Sequence, residues 1–185
     1  AHLALGFYYY YCERNYQRAL DEFEIAKGSL PNSADVYLAI GAIERRQGKW
    51  VQSTANLEKA ASLSPKDAWI LVNLGDNYRA NRDFEAADNA YDRAIEAAPH
   101  SFGVRAHKAE LAIHWKGDLS VMEKELAKML PGVDPDGVVT FTRVQFLMLQ
   151  RKFAEALGVL KQLPKDVSYD EQLPELLEGA IHTFL

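Results

Sequence analysis

His107, Glu110 and His114 are the residues of this sequence whose types and spacing could do chemistry. Steps of three and then four residues set all three on one face of a helix. Two imidazoles and a carboxylate so placed could ligate a divalent metal. The other reading is a solvated helix face, on which histidine and glutamate are ordinary. Little supports the metal. The single cysteine, Cys12, excludes an internal disulfide framework and a thiolate zinc site. His2, His100 and His182 are isolated, and no nucleophile motif, phosphate-cradling loop or metalloprotease signature occurs. The expectation is a protein with no catalytic residue, no cofactor and no metal site.

Bulk composition narrows the partners. A formal charge of -5 over 185 residues offers no excess of cations to displace phosphate counterions, which argues against nucleic acid. No stretch approaches the roughly 20 apolar residues that span a bilayer, so no membrane partner is expected. An apolar share of 48% can bury a substantial core. The opening Ala1-His2-Leu3 has no basic region, no small-residue cleavage site and no initiator Met, so a piece of a longer protein is expected, and the single cysteine fits a cytoplasmic location.

The elements that position these residues follow from a repeat. Pro31, Pro65 and Pro99 stand 34 residues apart, and the same step links five further columns. These are Ala26, Ala60, Ala94; Phe23, Leu57, Tyr91; Tyr16, Trp50, Phe84; Ala19, Ser53, Ala87; and Gly41, Gly75, Ala109. Small columns suit close helix approach, and each aromatic of the Tyr16 column follows a tight turn such as Gly48-Lys49 or Arg82-Asp83. The prolines stop one helix, and Ser33, Asp67 and Ser101 after them are the N-caps expected for the next.

This pattern resembles the tetratricopeptide repeat. The residues that carry the likeness are Tyr37, Ile40, Gly41, Gly48, Trp50, Ser53, Leu57, Ala60 and Pro65. The next unit repeats it with Leu71, Leu74, Gly75, Tyr78, Phe84, Ala87, Tyr91, Ala94 and Pro99. The resemblance implies an all-α fold, a right-handed superhelix (α-solenoid) of about five helical hairpins plus a terminal helix. It is similar to arrays in bacterial multidomain signalling proteins such as serine/threonine kinases, adenylate cyclases and transcription regulators.

One array over 1–185 is expected, with units at about 1–31, 32–65, 66–99, 100–135 and 136–166 and a last helix at about 171–184. The helix pairs are expected at about 1–13/15–28, 34–47/50–62, 67–80/83–97, 101–115/118–129 and 137–150/152–162. Two phase slips interrupt the period. Leu5-Gly6 and Tyr16 are one residue too far apart, and Gly117 falls 35 residues after Arg82 before the 34-residue step resumes. The break at 130–137 is the longest and is expected to be mobile. Four successive tyrosines, Tyr8 to Tyr11, point around ~300° of a helix and cannot all face one core.

The resemblance implies a partner protein or peptide held in a concave groove formed by the first helix of each pair. Carried over position by position, the groove has Asp35, Leu38, Ala42, Arg45 and Arg46 in the second unit, then Trp69, Val72, Asn73, Asp76 and Arg79 in the third. The fourth supplies Ala106, His107, Glu110 and His114, and the fifth Phe141, Gln145 and Met148. Trp50 is expected to anchor its own repeat, while Trp69 is open between groove and core. Some family members clamp a partner's C-terminal carboxylate with lysine and asparagine; Leu38 and Ala42, or Val72 and Asp76, stand at those positions, so the clamp is absent. Arg45 and Arg79 form a basic ladder beside Asp76 and Glu110, either for charged recognition of an extended or helical segment or as internal ion pairs. The alternative function is self-association, giving a homo-oligomer through the tyrosine-rich first helix or the unpaired last one.

Overall fold

The computed structural model describes residues 1–128, 137–162 and 174–183, and every regular element among them is a helix. In chain order these are α1 (His2–Tyr11), α2 (Tyr16–Ser29), α3 (Ala34–Arg46), α4 (Trp50–Leu63), α5 (Ala68–Ala80), α6 (Phe84–Ala97) and α7 (Phe102–Lys116). After them come α8 (Ser120–Ala127), α9 (Val138–Leu149), α10 (Phe153–Leu160) and α11 (Pro174–His182). Contacts divide the chain into two compact units, residues 1–111 and 112–185. In the first, α1 packs on α2, α3 on α4 and α5 on α6, with α2 against α3 and α4 against α5 joining the pairs. In the second, α9 packs on α10, and α11 on α10, where Ile181 is fully buried beside Phe141, Val144 and Ala156.

The turns show the period most plainly. Arg14, Gly48, Arg82, Gly117 and Arg151 all have φ between 52° and 73°, the left-handed region that ends a helix sharply. Their steps are 34, 34, 35 and 34 residues, so the second slip lies between Arg82 and Gly117. In three turns the next N–H closes on the carbonyl five residues back: Lys49 on Glu44, Asp83 on Tyr78 and Lys152 on Leu147, each at 2.9 Å. The two slipped units close six back, Asn15 on Tyr9 at 2.9 Å and Asp118 on Ala112 at 3.2 Å. Each slip is thus one extra residue absorbed in the turn, leaving the packing columns in register.

Packing explains those columns. A Cβ at Gly6 would sit 2.5 Å from the Phe23 ring, and one at Gly75 would sit 2.5 Å from the Tyr91 ring. At Gly41 it would meet Leu57 Cγ at 2.9 Å. The bulky column therefore packs against bare backbone, and Ala19, Ser53 and Ala87 are all fully buried nearby in sequence. Tyr9 and Tyr10 pack against the first core cluster while Tyr8 and Tyr11 stay exposed, so the run divides as its helical spread requires. Asp67 caps α5 by accepting from the Trp69 and Ile70 N–H groups at 2.9 and 3.1 Å, and the Val104 N–H reaches Ser101 Oγ at 3.4 Å. Ser33 stands at the N-cap of α3 but its side chain accepts no capping bond, which corrects that expectation. Residues 129–136, with most of the expected break, and Leu173 and Phe184 of the terminal stripe lie outside the described residues.

Candidate functional site

The first unit brings the predicted groove residues together on α3, α5 and α7. Arg45, in the last turn of α3, reaches across to α5, where its two Nη groups donate to the Asn73 carbonyl at 3.3 Å and to Asn73 Oδ1 at 3.1 Å. Asn73 Nδ2 donates to the Trp69 carbonyl at 2.9 Å. Asn73 is only 5% exposed, so it orients Arg45 and does not itself face solvent. Trp69, a turn earlier on the same face, is 64% exposed and takes no part in the core.

One turn beyond Asn73, Asp76 is the hub of a second cluster. Its Oδ1 accepts from Tyr91 Oη at 2.7 Å and Arg79 Nη2 at 3.3 Å, and His107 Nδ1 lies 3.1 Å away on α7. Arg79 Nη1 donates to Glu110 Oε2 at 3.0 Å, and the Tyr91 and His107 rings stack at 6.1 Å. Burial alone would raise the Asp76 carboxyl; the bonds and charges of His107, Tyr91 and Arg79 outweigh it and hold the carboxyl below its ordinary range. Burial alone would likewise lower His107, yet Asp76 and then Glu110 carry it above the usual imidazole value. Tyr91 is pushed far above an ordinary phenol by burial and by Asp76, so its hydroxyl stays a donor.

The remaining predicted site residues fall in different places. His107 Nδ1 and Glu110 Oε2 are bonded to α5, while His114 is an exposed residue outside that cluster. Among the described residues no cluster of three His, Cys, Asp or Glu side chains is set to hold a metal ion. Val72 and Phe141, expected in the groove, are 2% and 0% exposed and belong to cores. Both stand one helical step from polar neighbours, and the 34-residue frame alone could not tell groove from core there. Arg46 lies apart from the Asn73 and Asp76 clusters, with its Nε donating to Tyr10 Oη at 3.1 Å. Trp50 is 38% exposed, a partial anchor only.

Two features escaped the sequence. Tyr91 was legible as a bulky core residue, but its hydroxyl enters the Asp76 cluster; the signal was a lone phenol in a column of Phe23 and Leu57. The other is a buried polar clip. Ser53 Oγ lies 2.8 Å from the Gly41 carbonyl and 2.9 Å from Asn77 Oδ1, and Asn77 Nδ2 donates to Thr54 Oγ1 at 2.7 Å. It ties α3, α4 and α5 together with no buried side-chain polar atom left unpaired among the described residues.

Residues 32–100 match the sequence profile of the tetratricopeptide repeat. This segment is made of tetratricopeptide repeats. No curated protein matches the chain. Among solved structures, a tetratricopeptide repeat protein from Parabacteroides merdae is similar at 15% identity with a TM-score of 0.79, over 98% of this chain and 70% of that one. A thermophilic tetratricopeptide repeat protein of Thermus thermophilus aligns at 17% identity and TM-score 0.75, over 99% of this chain and 96% of that one. The first repeat domain of Spaghetti (RPAP3), bound to the HSP90 peptide SRMEEVD, aligns at 17% identity and TM-score 0.57, over 60% of this chain and 87% of that one. At these identities the likeness is one of fold: all-α, an α-solenoid. A tetratricopeptide solenoid is a scaffold for protein–protein interaction. Among the described residues no helix is long and apolar enough to cross a membrane.

Proposed function

We propose that the first unit holds a peptide or helical segment of a partner protein against the face of α3, α5 and α7. The observation that carries this reading is Trp69, 64% exposed on a face whose other large polar groups are fixed in place. A large ring left in water beside a preorganised polar floor is a natural anchor for a binding partner. The internal bonds of Asp76, Arg79, His107 and Glu110 support it, since a floor already ordered loses little entropy on binding. The peptide-bound repeat domain of RPAP3 is a precedent for the fold.

The test places a photo-crosslinking benzoylphenylalanine at position 69 and, as a control, at the exposed Lys59 position on α4. Irradiation in the source cell should give discrete protein adducts from position 69 and few from 59. Equal adducts at both positions, or adducts at 59 alone, would move the binding surface elsewhere. Self-association is a second reading, supported by exposed Leu5, Tyr8 and Tyr11 on α1. A sedimentation profile that stays monomeric at high concentration would remove it.

A further inference from the structure

Arg45 and Arg79 stand 34 residues apart at equivalent positions, yet the fold uses their charges differently. Arg79 answers two carboxylates, Glu110 at 3.0 Å and Asp76 at 3.3 Å, so its charge is neutralised within the face. Arg45 is held only by the neutral oxygens of Asn73, at 3.3 and 3.1 Å, and among the described residues no carboxylate comes within ion-pair distance of it. It is therefore an oriented guanidinium, partly withdrawn from water, whose charge is uncompensated. Asn73 cannot turn away easily, because its other amide end is committed to the Trp69 carbonyl at 2.9 Å. The same buried amide thus fixes a cation on one side and the backbone beneath an exposed indole on the other.

We propose that this face selects segments in which a carboxylate lies next to a bulky apolar side chain, with Arg45 receiving the carboxylate and Trp69 the apolar group. The proposal rests on the partner-binding reading above and names the chemistry of that partner. A planar guanidinium with a fixed fork matches a carboxylate in two bonds, and holding it in place beforehand removes part of the ordering cost. The sign of the partner follows from what is already answered. Asp76 and Glu110 both lie against Arg79, so no acid of this cluster awaits a cation. Asp35, the remaining acid among the α3 groove positions, sits ten residues from Arg45, toward the other end of the helix.

The test is a selection of displayed random twelve-residue peptides, run in parallel on the full chain and its Arg45→Met, Arg45→Lys and Trp69→Ala variants. The expected pool from the unmodified chain is enriched in Asp or Glu beside an aromatic or aliphatic residue. That acidic bias should vanish on Arg45→Met and persist, weakened, on Arg45→Lys. A peptide from the first pool should bind Arg45→Met roughly tenfold or more weakly, and its Glu→Gln version should lose as much on the unmodified chain. Enrichment that depends on Trp69 but lacks acidic bias, or an equal bias on Arg45→Met, would overturn the proposal and leave the partner-binding reading standing. A pool no richer on the unmodified chain than on Trp69→Ala would sink both.

Discussion

Replacing Asp76 with Asn isolates what one charge contributes to the first unit. The amide keeps an acceptor where Tyr91, Arg79 and His107 now converge on Oδ1 at 2.7, 3.3 and 3.1 Å, so shape is preserved and charge alone is lost. The Tyr91 bond then falls from the class made to a charged group, about 1.5–3 kcal/mol, to the neutral class, about 0.5–1.5, while Arg79 and protonated His107 each lose an ion-pair contribution of about 1 kcal/mol. Tyr91, Arg79 and protonated His107 together give a cost of about 3 kcal/mol near pH 6. The pH dependence follows from the two shifted groups. His107 is raised above 6.5 in the folded chain, so its contribution is complete below 6.5 and is lost as pH rises through the folded value. Asp76 is lowered below 3.8, so its contribution is complete above 3.8 and is lost as pH falls through the folded value. The cost of Asp76→Asn should thus be greatest between those limits and shrink to about 2 kcal/mol once pH has risen through the folded His107 value, leaving Tyr91 and Arg79 to answer the carboxylate. Urea unfolding of both proteins at pH 5.5, 7 and 9, read by helical circular dichroism, measures it. A cost below about 0.5 kcal/mol, or one that does not change with pH, would refute the reasoning.

Other substitutions test the packing. Gly75→Ala should destabilise by about 1–3 kcal/mol, because the new methyl lands on the buried Tyr91 ring. Gly28→Ala, with nothing within 4 Å of the added carbon, should stabilise α2 by up to about 1 kcal/mol in the same thermal or urea melts. Asn77→Leu should cost roughly 2 kcal/mol or more, since it removes the amide's buried bonds to Ser53 and Thr54 and overfills a site with 0% exposure. Trp69→Ala should leave the urea midpoint nearly unchanged, as expected for a side chain outside the core.

The fold was legible because each column of the repeat carries a size rule. Gly41 and Gly75 need their bareness to admit Leu57 and Tyr91, and that requirement prints a period on the sequence. Both slips could be located because a turn absorbs one residue by closing six back while the helices keep their register. Polar function left no such print. Ser53 fits an alanine column by volume, so its role in the clip with Asn77 was hidden. Arg45 and Arg79 look identical in the frame, and only the partners on the next helix, Asn73 for one and Glu110 for the other, separate an uncompensated cation from a neutralised one. Val72 shows the converse, a groove position by register that packing takes into the core.

The face of α3, α5 and α7 in the first unit is the proposed place where a partner binds. Backbone and indole NMR shifts of the full chain, followed as a selected peptide is added, test it most directly. The largest changes should fall on the Trp69 indole, the Arg45 side chain and their neighbours on α3 and α5, with little change along α2, α4 and α6. Shifts confined to those second helices, with the Trp69 indole unmoved, would contradict it.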